Sequence, residues 1–299
     1  MWGLVFVGPL MLPEYPPAMH TFGRYLAFGL IALPLAWLDR SRLRELTRAA
    51  WLEALKLALV GNIIYYLFLS SAIQRAGAPL PTMVIGTLPV VIAIASNLRA
   101  AQRLPWARMA PSIGLIAAGI ALVNHVELSA LRHDAQADLS RYVWGGLLAL
   151  GAVVCWTWYP IRNADWLRAH TDRSPTTWAT AQGIATLPLA LLGFVGFWLL
   201  NAATSGPFKM PLGPRAGEYL GLMLALGFFA SWLGTLCWNQ ASQRLPSTLS
   251  GQLIVFETLA ALCFAFVLRG AWPQWQTLMG AALLVAGVVW ALRAQRPVA

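Results

Sequence analysis

Charge is scarce in this sequence. Only 11% of its 299 residues are charged and just 11 are acidic, where a soluble domain carries roughly a quarter charged residues. A soluble globular chain is thereby excluded. Lysine is almost missing, with only Lys56 and Lys209 against 19 arginines. Cysteine is sparse too: Cys155, Cys237 and Cys263 fall inside apolar runs, without metal-ligand spacing and with nothing to imply a disulfide. No Asn-x-Ser/Thr site occurs, and the start, "MWGLVFVGPLM", lacks the basic region of a signal peptide. His-Glu-x-x-His, a Gly-x4-Gly-Lys loop and paired aspartates are all absent from the sequence. No histidine lies deep in an apolar run to activate a serine. An enzyme and an ATP-driven pump are therefore not expected, nor is a metal or other cofactor.

What is present is hydrocarbon: 59% of residues are hydrophobic and mean hydropathy is +0.63. The net charge of +10 and pI near 10.3 would suit nucleic acid. The basic residues instead sit in short gaps between apolar runs, as membrane-flanking charge does, so the partner is a lipid bilayer and not nucleic acid. About 20 apolar residues cross a bilayer as a helix. Such spans are predicted near 22–38, 54–74, 79–98, 109–124, 142–162, 177–200, 219–242, 247–268 and 275–292. Residues 2–12 form a tenth, shorter run. If it enters from the cytoplasm, 14 basic residues fall on the cytoplasmic side and seven on the other. That imbalance favours ten spans with both termini inside. A nine-span chain with the first run at the interface is the alternative.

The two halves of the chain resemble each other. "GLIALPLA" (Gly29–Ala36) matches "GIATLPLA" (Gly183–Ala190), and Trp2 aligns with Trp156 at the same offset of 154. "AIQRAG" (Ala72–Gly77) matches "ASQRLP" (Ala241–Pro246) at an offset of 169, and "GLIAAGIAL" (Gly114–Leu122) resembles "ALLVAGVVW" (Ala282–Trp290) at 168. The predicted organisation is a first repeat over 1–124, a connecting loop over 125–141 and a second repeat over 142–299. Five spans per half is an odd number, so the halves have opposite orientation. That is the inverted-repeat design in which substrate binds near the midplane between halves. The repeat also predicts that the chain starts partway through its first helix, because the span around Trp156 begins near Tyr142. The fold class expected is an all-α integral membrane protein of ten transmembrane helices in two inverted five-helix repeats.

Ten spans, a tryptophan midway along the first span of each half, and the fourth spans "GTLPVVIAIASNL" (Gly86–Leu98) and "VFETLAALCFAFVL" (Val255–Leu268) together resemble the EamA-type branch of the drug/metabolite transporter superfamily. Pro89 matches that pattern's proline and Glu257 its acidic position, while Thr258 stands where a proline often follows. The usual acidic "Leu-Gly-Glu" ending is replaced by Arg99 and Arg269. The resemblance implies a transporter, with the aromatic-rich spans most similar to exporters of aromatic and other neutral amino acids.

Glu257 is the one carboxylate deep in an apolar stretch. Such groups usually mark a substrate pathway or proton relay, at roughly 2.5–3.5 kcal/mol of insertion cost. It either binds a substrate ammonium or a coupling proton, or joins helices through a hydrogen bond. Asn62, Tyr65 and Tyr66 recur at helical spacing on one face and either line a pocket or pack helices. Trp156, Tyr159 and Asn163 share a second face, on which a tryptophan could stack an aromatic side chain or hold a cation. Ser231, Thr235 and Trp238 share a third, with Asn239 and Gln240 as candidate partners for the buried carboxyl. The substrate-binding set is thus Glu257, Trp156, Tyr159, Asn62, Tyr65, Tyr66, Trp238 and Asn239. Pro89 and Pro160 are hinge or kink candidates. Trp158 and Trp166 read as interfacial belt residues, His20 as a solvated residue at a span edge, and Gly114, Gly119, Gly280 and Gly287 as helix-packing glycines.

The function expected is export of an amino acid across a bacterial inner membrane by alternating access, coupled to protons or facilitated. Efflux of other small metabolites or lipophilic cationic drugs is the alternative. A passive channel would want a ring of polar residues that the sequence lacks. The sequence sets neither the exact substrate nor the oligomeric state.

Overall fold

The apolar runs become helices whose ends carry recognisable stops and starts. The computed structural model describes residues 2–76, 79–99, 105–131, 139–245, 249–250, 253–269, 272 and 274–294, and the described residues contain helices and no strands. In chain order the main helices are α1 (Trp2–Met11), α2 (Pro17–Leu38), α3 (Arg48–Ala76), α4 (Leu88–Arg99), α5 (Trp106–Leu131), α6 (Leu139–Ala169), α7 (Pro175–Ala203), α8 (Ala216–Arg244), α9 (Val255–Arg269) and α10 (Trp275–Ala294). Helix α1 opens as a 3-10 turn over Trp2–Phe6. Prolines occupy the first position of α2 and α7, where a missing N–H costs nothing. The Thr47 and Ser174 hydroxyls cap α3 and α7, each accepting a backbone N–H at 3.2 Å. Helices α2, α3, α6, α7 and α8 are each long and apolar enough to cross a membrane. Large apolar side chains such as Leu192, Val154 and Leu199 stand exposed on the bundle's outside, a surface suited to lipid.

Three features depart from simple spans. First, the predicted 125–141 connection is helical at both ends, since α5 runs to Leu131 and α6 starts at Leu139. Second, the run over 79–98 is broken. A short helix, Pro79–Ile85, stops at Gly86–Thr87, and α4 restarts at Leu88 with Pro89 in its first turn. Third, α9 likewise starts just after a turn at Ile254, so Glu257 sits in the first turn of a helix rather than at the middle of one. At an offset of 168, Pro89 and Glu257 are equivalent.

Helices α3 and α8 each contain a π-helical stretch, Ala58–Ile64 and Leu226–Leu233. Residue 58 shifted by 168 is residue 226, so the same local irregularity occurs at the same place in both halves. Each stretch approaches a neighbour through a glycine. A Cβ on Gly61 would lie 2.1 Å from the Tyr159 ring of α6, and one on Gly227 would lie 2.7 Å from Ala27 of α2.

The most extensive helix contacts are α5 with α10, α2 with α7 and α3 with α6. Without a hydrophobic force between helices in lipid, such crossings rely on close van der Waals approach at small residues. Gly119 packs against Gly280 and Leu284, while Gly287 packs against Ser112 and Ile116, and Ser112 Oγ donates to the Gly287 carbonyl at 2.8 Å. Each of these residues has its partner's counterpart 168 positions away, so the crossing is antiparallel and self-complementary. Gly29 against Leu187 and Gly183 against Ala32 repeat the arrangement between α2 and α7. Gly114, expected at such a contact, faces open space. Gly29→Ala places a Cβ 2.6 Å from Leu187 Cβ and is expected to destabilise the α2–α7 crossing by about 1–3 kcal/mol. Thermal unfolding in detergent should show a lowered midpoint for Gly29→Ala and none for Gly114→Ala.

Candidate functional site

The repeat-related tryptophans meet at the centre of the bundle. Trp2 of α1 and Trp156 of α6 lie edge to face with ring centroids 5.1 Å apart. Tyr65 of α3 stacks on Trp156 at 4.6 Å, Tyr159 also stacks on it at 5.0 Å, and Trp238 of α8 lies 5.3 Å from Trp2. These distances fall in the range for favourable aromatic pairs. Symmetry is broken at one position. Tyr65 shifted by 169 is Gly234, and a Cβ there would meet Trp2 at 2.5 Å. One tryptophan therefore rests on a tyrosine ring and the other directly on helix backbone.

Buried polar atoms without partners collect on this ring assembly. The Tyr65 hydroxyl, Trp156 Nε1, Trp238 Nε1 and Glu257 Oε2 have no hydrogen-bond partner, although such groups are paired in more than nine cases of ten. Beside them a cavity of about 280 Å³ is lined by Trp2, Gly234, Cys237, Trp238, Ile254 and Glu257. Its size is close to the lower end of small-molecule sites. The first turn of α9 holds the Glu257 carboxyl at the positive end of a helix dipole. The arrangement offers three N–H or O–H donors, one carboxyl and several ring faces. Among the described residues no group of three or more His, Cys, Asp or Glu is assembled to hold a metal ion.

A second polar group lies next to the rings and is fully paired. Asn163 Oδ1 accepts from Trp178 Nε1 at 2.9 Å and from Gln182 Nε2 at 3.0 Å, and Asn163 Nδ2 donates to Asn239 Oδ1 at 2.9 Å. The Tyr159 hydroxyl donates to Gln182 Oε1 at 2.8 Å. Asn62 donates to Thr186 Oγ1 at 3.1 Å, and Thr186 donates in turn to the Gln182 carbonyl. This network ties α3, α6, α7 and α8 together.

The eight predicted site residues are all buried but do not share one environment. Trp156, Tyr159 and Tyr65 belong to the ring stack, and Trp238 and Glu257 line the cavity. Asn62 and Asn239 belong to the amide network. Tyr66 faces the other way, its hydroxyl donating to the Val5 carbonyl at 2.9 Å and its ring lying under Arg24. Asn239 and the exposed Gln240 make no bond to Glu257. Pro160 lies within the continuous helix α6.

Several residues stand where sequence reasoning did not put them. Arg24, counted with the membrane-flanking charges, is 4% exposed inside the bundle. His20 is fully buried, its Nε2 3.0 Å from the Leu12 carbonyl, because the chain folds back over it between α1 and α2. Trp166 is no belt residue but stacks on Trp178 and His170. Gln182 and Trp178 gave no signal beyond lying in an apolar span.

At one end of the bundle a larger cavity, about 560 Å³, lies between α3, α4 and α6. Its rim carries Lys56, Arg99 and Arg162 with Glu53. Arg162 holds Glu53 through two contacts of 2.5 and 3.2 Å, and Arg99 pairs with Asp165 at 3.4 Å.

A profile of the EamA-like transporter family matches residues 1–125. The chain is 54% identical over 299 residues to the inner membrane protein YtfF of Escherichia coli K12, covering 99% of this chain and 92% of that one. It is 25% identical to an uncharacterized transporter of Archaeoglobus fulgidus, over 93% of this chain and 88% of the relative. A crystal structure 21% identical in sequence has the same fold, with a TM-score of 0.69 over 98% of this chain and 96% of its own.

Replacing Asn163 by Leu would leave Trp178 Nε1, Gln182 Nε2 and Asn239 Oδ1 without a partner at once. The expected cost is roughly 1–3 kcal/mol for each group left unsatisfied. It should be read as a lowered unfolding midpoint in detergent, with Gln240→Ala unchanged.

Proposed function

Since the chain belongs to the EamA-like transporter family, we propose that it exports amino acids, aromatic and other neutral ones foremost, by alternating access. The observation that carries this reading is the set of unpartnered polar atoms on the Trp2–Tyr65–Trp156–Trp238 rings. In hydrocarbon an unpaired polar group has no water to turn to. A site left unsatisfied in the protein and lined by rings is suited to a solute that brings an apolar side chain and both a donor and an acceptor. Glu257 takes the ammonium or a coupling proton, Trp156 and Trp238 flank the side chain, and Tyr65 supplies a hydroxyl.

The alternating movement would come from two inverted five-helix repeats. Three features support that organisation: the self-complementary antiparallel crossings of α5 with α10 and α2 with α7, the paired π stretches, and the two broken fourth spans. The cavity rimmed by Lys56, Arg99 and Arg162 would be the cytoplasmic vestibule, since those side chains belong to the basic side of the charge asymmetry. The relative in E. coli supports an inner-membrane location, and the charge asymmetry supports placing both termini in the cytoplasm. Efflux of lipophilic cations is the second reading, favoured by a carboxyl among tryptophan rings.

Purified protein in proteoliposomes should take up labelled L-tryptophan and L-leucine saturably, driven by a pH gradient. Glu257→Gln should abolish the gradient's effect. Saturable uptake indifferent to both would leave an amino-acid carrier and reduce Glu257 to a helix-packing group. Transport of lipophilic cations without amino acids would move the assignment to drug efflux.

A further inference from the structure

Arg24 is the cation that the proposed site has not yet used. A guanidinium stays charged at any pH a protein meets, and an arginine within the bilayer region is expected to pair with a carboxylate or with backbone carbonyls. Arg24 is 4% exposed. Nε donates to Ser231 Oγ at 2.9 Å, Nη2 reaches the Ala230 carbonyl at 3.5 Å, and the group lies over the Tyr66 and Tyr25 rings at 4.6 and 4.9 Å from their centroids. Nη1 has no partner. Among the described residues no carboxylate lies within ion-pair reach of it. The rings and the hydroxyl hold the cation in place without neutralising it.

Its position ties it to the ring assembly. Ser231, which accepts from Nε, stands one helical turn before Gly234, against whose backbone Trp2 rests, and Tyr66, beneath the guanidinium, donates to the Val5 carbonyl one turn after Trp2. Ala230 and Ser231 belong to the π stretch of α8, a type of irregularity frequent at functional sites. The region therefore carries one cation with an unpartnered nitrogen and no paired carboxylate among the described residues, and one carboxyl with an unpartnered oxygen.

We propose that Arg24 is the carboxylate-binding residue of the transport site, with Glu257 at the ammonium end of the same solute. The inference rests on the amino-acid reading and sharpens it. A zwitterion satisfies both charges, and an amine lacking the carboxylate leaves Arg24 unneutralised beside a second positive charge. A lipophilic cation meets the same repulsion.

The test is counterflow of labelled L-tryptophan in proteoliposomes of the full chain, competed by L-tryptophan, by tryptamine, which lacks the carboxylate, and by indole-3-propionate, which lacks the amine. Wild-type protein should favour tryptophan over either competitor by at least about tenfold, the scale of losing one buried charge pairing. Arg24→Gln should lose tryptophan flux by a similar factor and no longer disfavour tryptamine. Arg24→Lys should recover part of the preference, and Glu257→Gln should relieve the exclusion of indole-3-propionate instead. If Arg24→Gln does not fold, the wild-type competition and Arg24→Lys still decide. Wild-type protein that carries tryptophan without disfavouring tryptamine, or an Arg24→Gln protein that keeps both flux and preference, overturns the inference and leaves the amino-acid reading standing. Wild-type protein that carries tryptamine and no amino acid overturns both.

Discussion

Inside a bilayer a polar group can be satisfied only by the protein or by what the protein carries. The structure divides along that line. The network of Asn62, Asn163, Trp178, Gln182, Thr186 and Asn239 closes on itself, and its four helices are held by it. A few ångströms away, on the stacked rings, Tyr65, Trp156, Trp238 and Glu257 retain unpaired atoms. The first group locks helices together; in the proposed function the second takes the solute. Arg24 belongs with the second, a charge caged by rings and one hydroxyl with an anion still wanting.

The proposed two-repeat architecture would supply the frame for this contrast. Crossings through Gly29, Gly119 and Gly287 pair each half with its counterpart through equivalent residues. Such interfaces are stiff because they depend on backbone approach and leave no side chain to repack. The softer elements are the π stretches in α3 and α8 and the interruptions before α4 and α9. The α3 stretch meets Tyr159 through Gly61, the α8 stretch ends just before Gly234 beneath Trp2, and Ile254, just before α9, lines the cavity. In the proposed function the asymmetries matter as well. Tyr65 opposite Gly234, and Pro89 opposite Glu257, give one half a cover and the other a carboxyl beside a cavity.

Helix existence was legible in the sequence because hydrocarbon length and charge-poor runs are direct consequences of the solvent. Helix extent was less so: α3 starts at Arg48 and α6 ends at Ala169, each beyond its apolar window, since helices continue into the headgroup region. Glu257, Trp156 and Tyr65 were legible as polar or aromatic outliers in such runs. Arg24 and His20 were not, because a basic residue near a span edge looks the same in sequence whether it points to water or into the bundle. Their burial depends on α1 and α8 closing over α2, a tertiary event without a local signal. Gln182 and Trp178 were missed for the related reason that a network is a property of four helices and not of any one.

Cys237 lines the cavity beside Glu257 and is exposed to it. In protein carrying Cys155→Ala and Cys263→Ala, the rate at which a maleimide alkylates Cys237 reports directly on whether that cavity is occupied. The account predicts that L-tryptophan slows this alkylation in a saturable manner while tryptamine at equal concentration does not. An alkylation rate unchanged by tryptophan at concentrations that saturate its transport would contradict it.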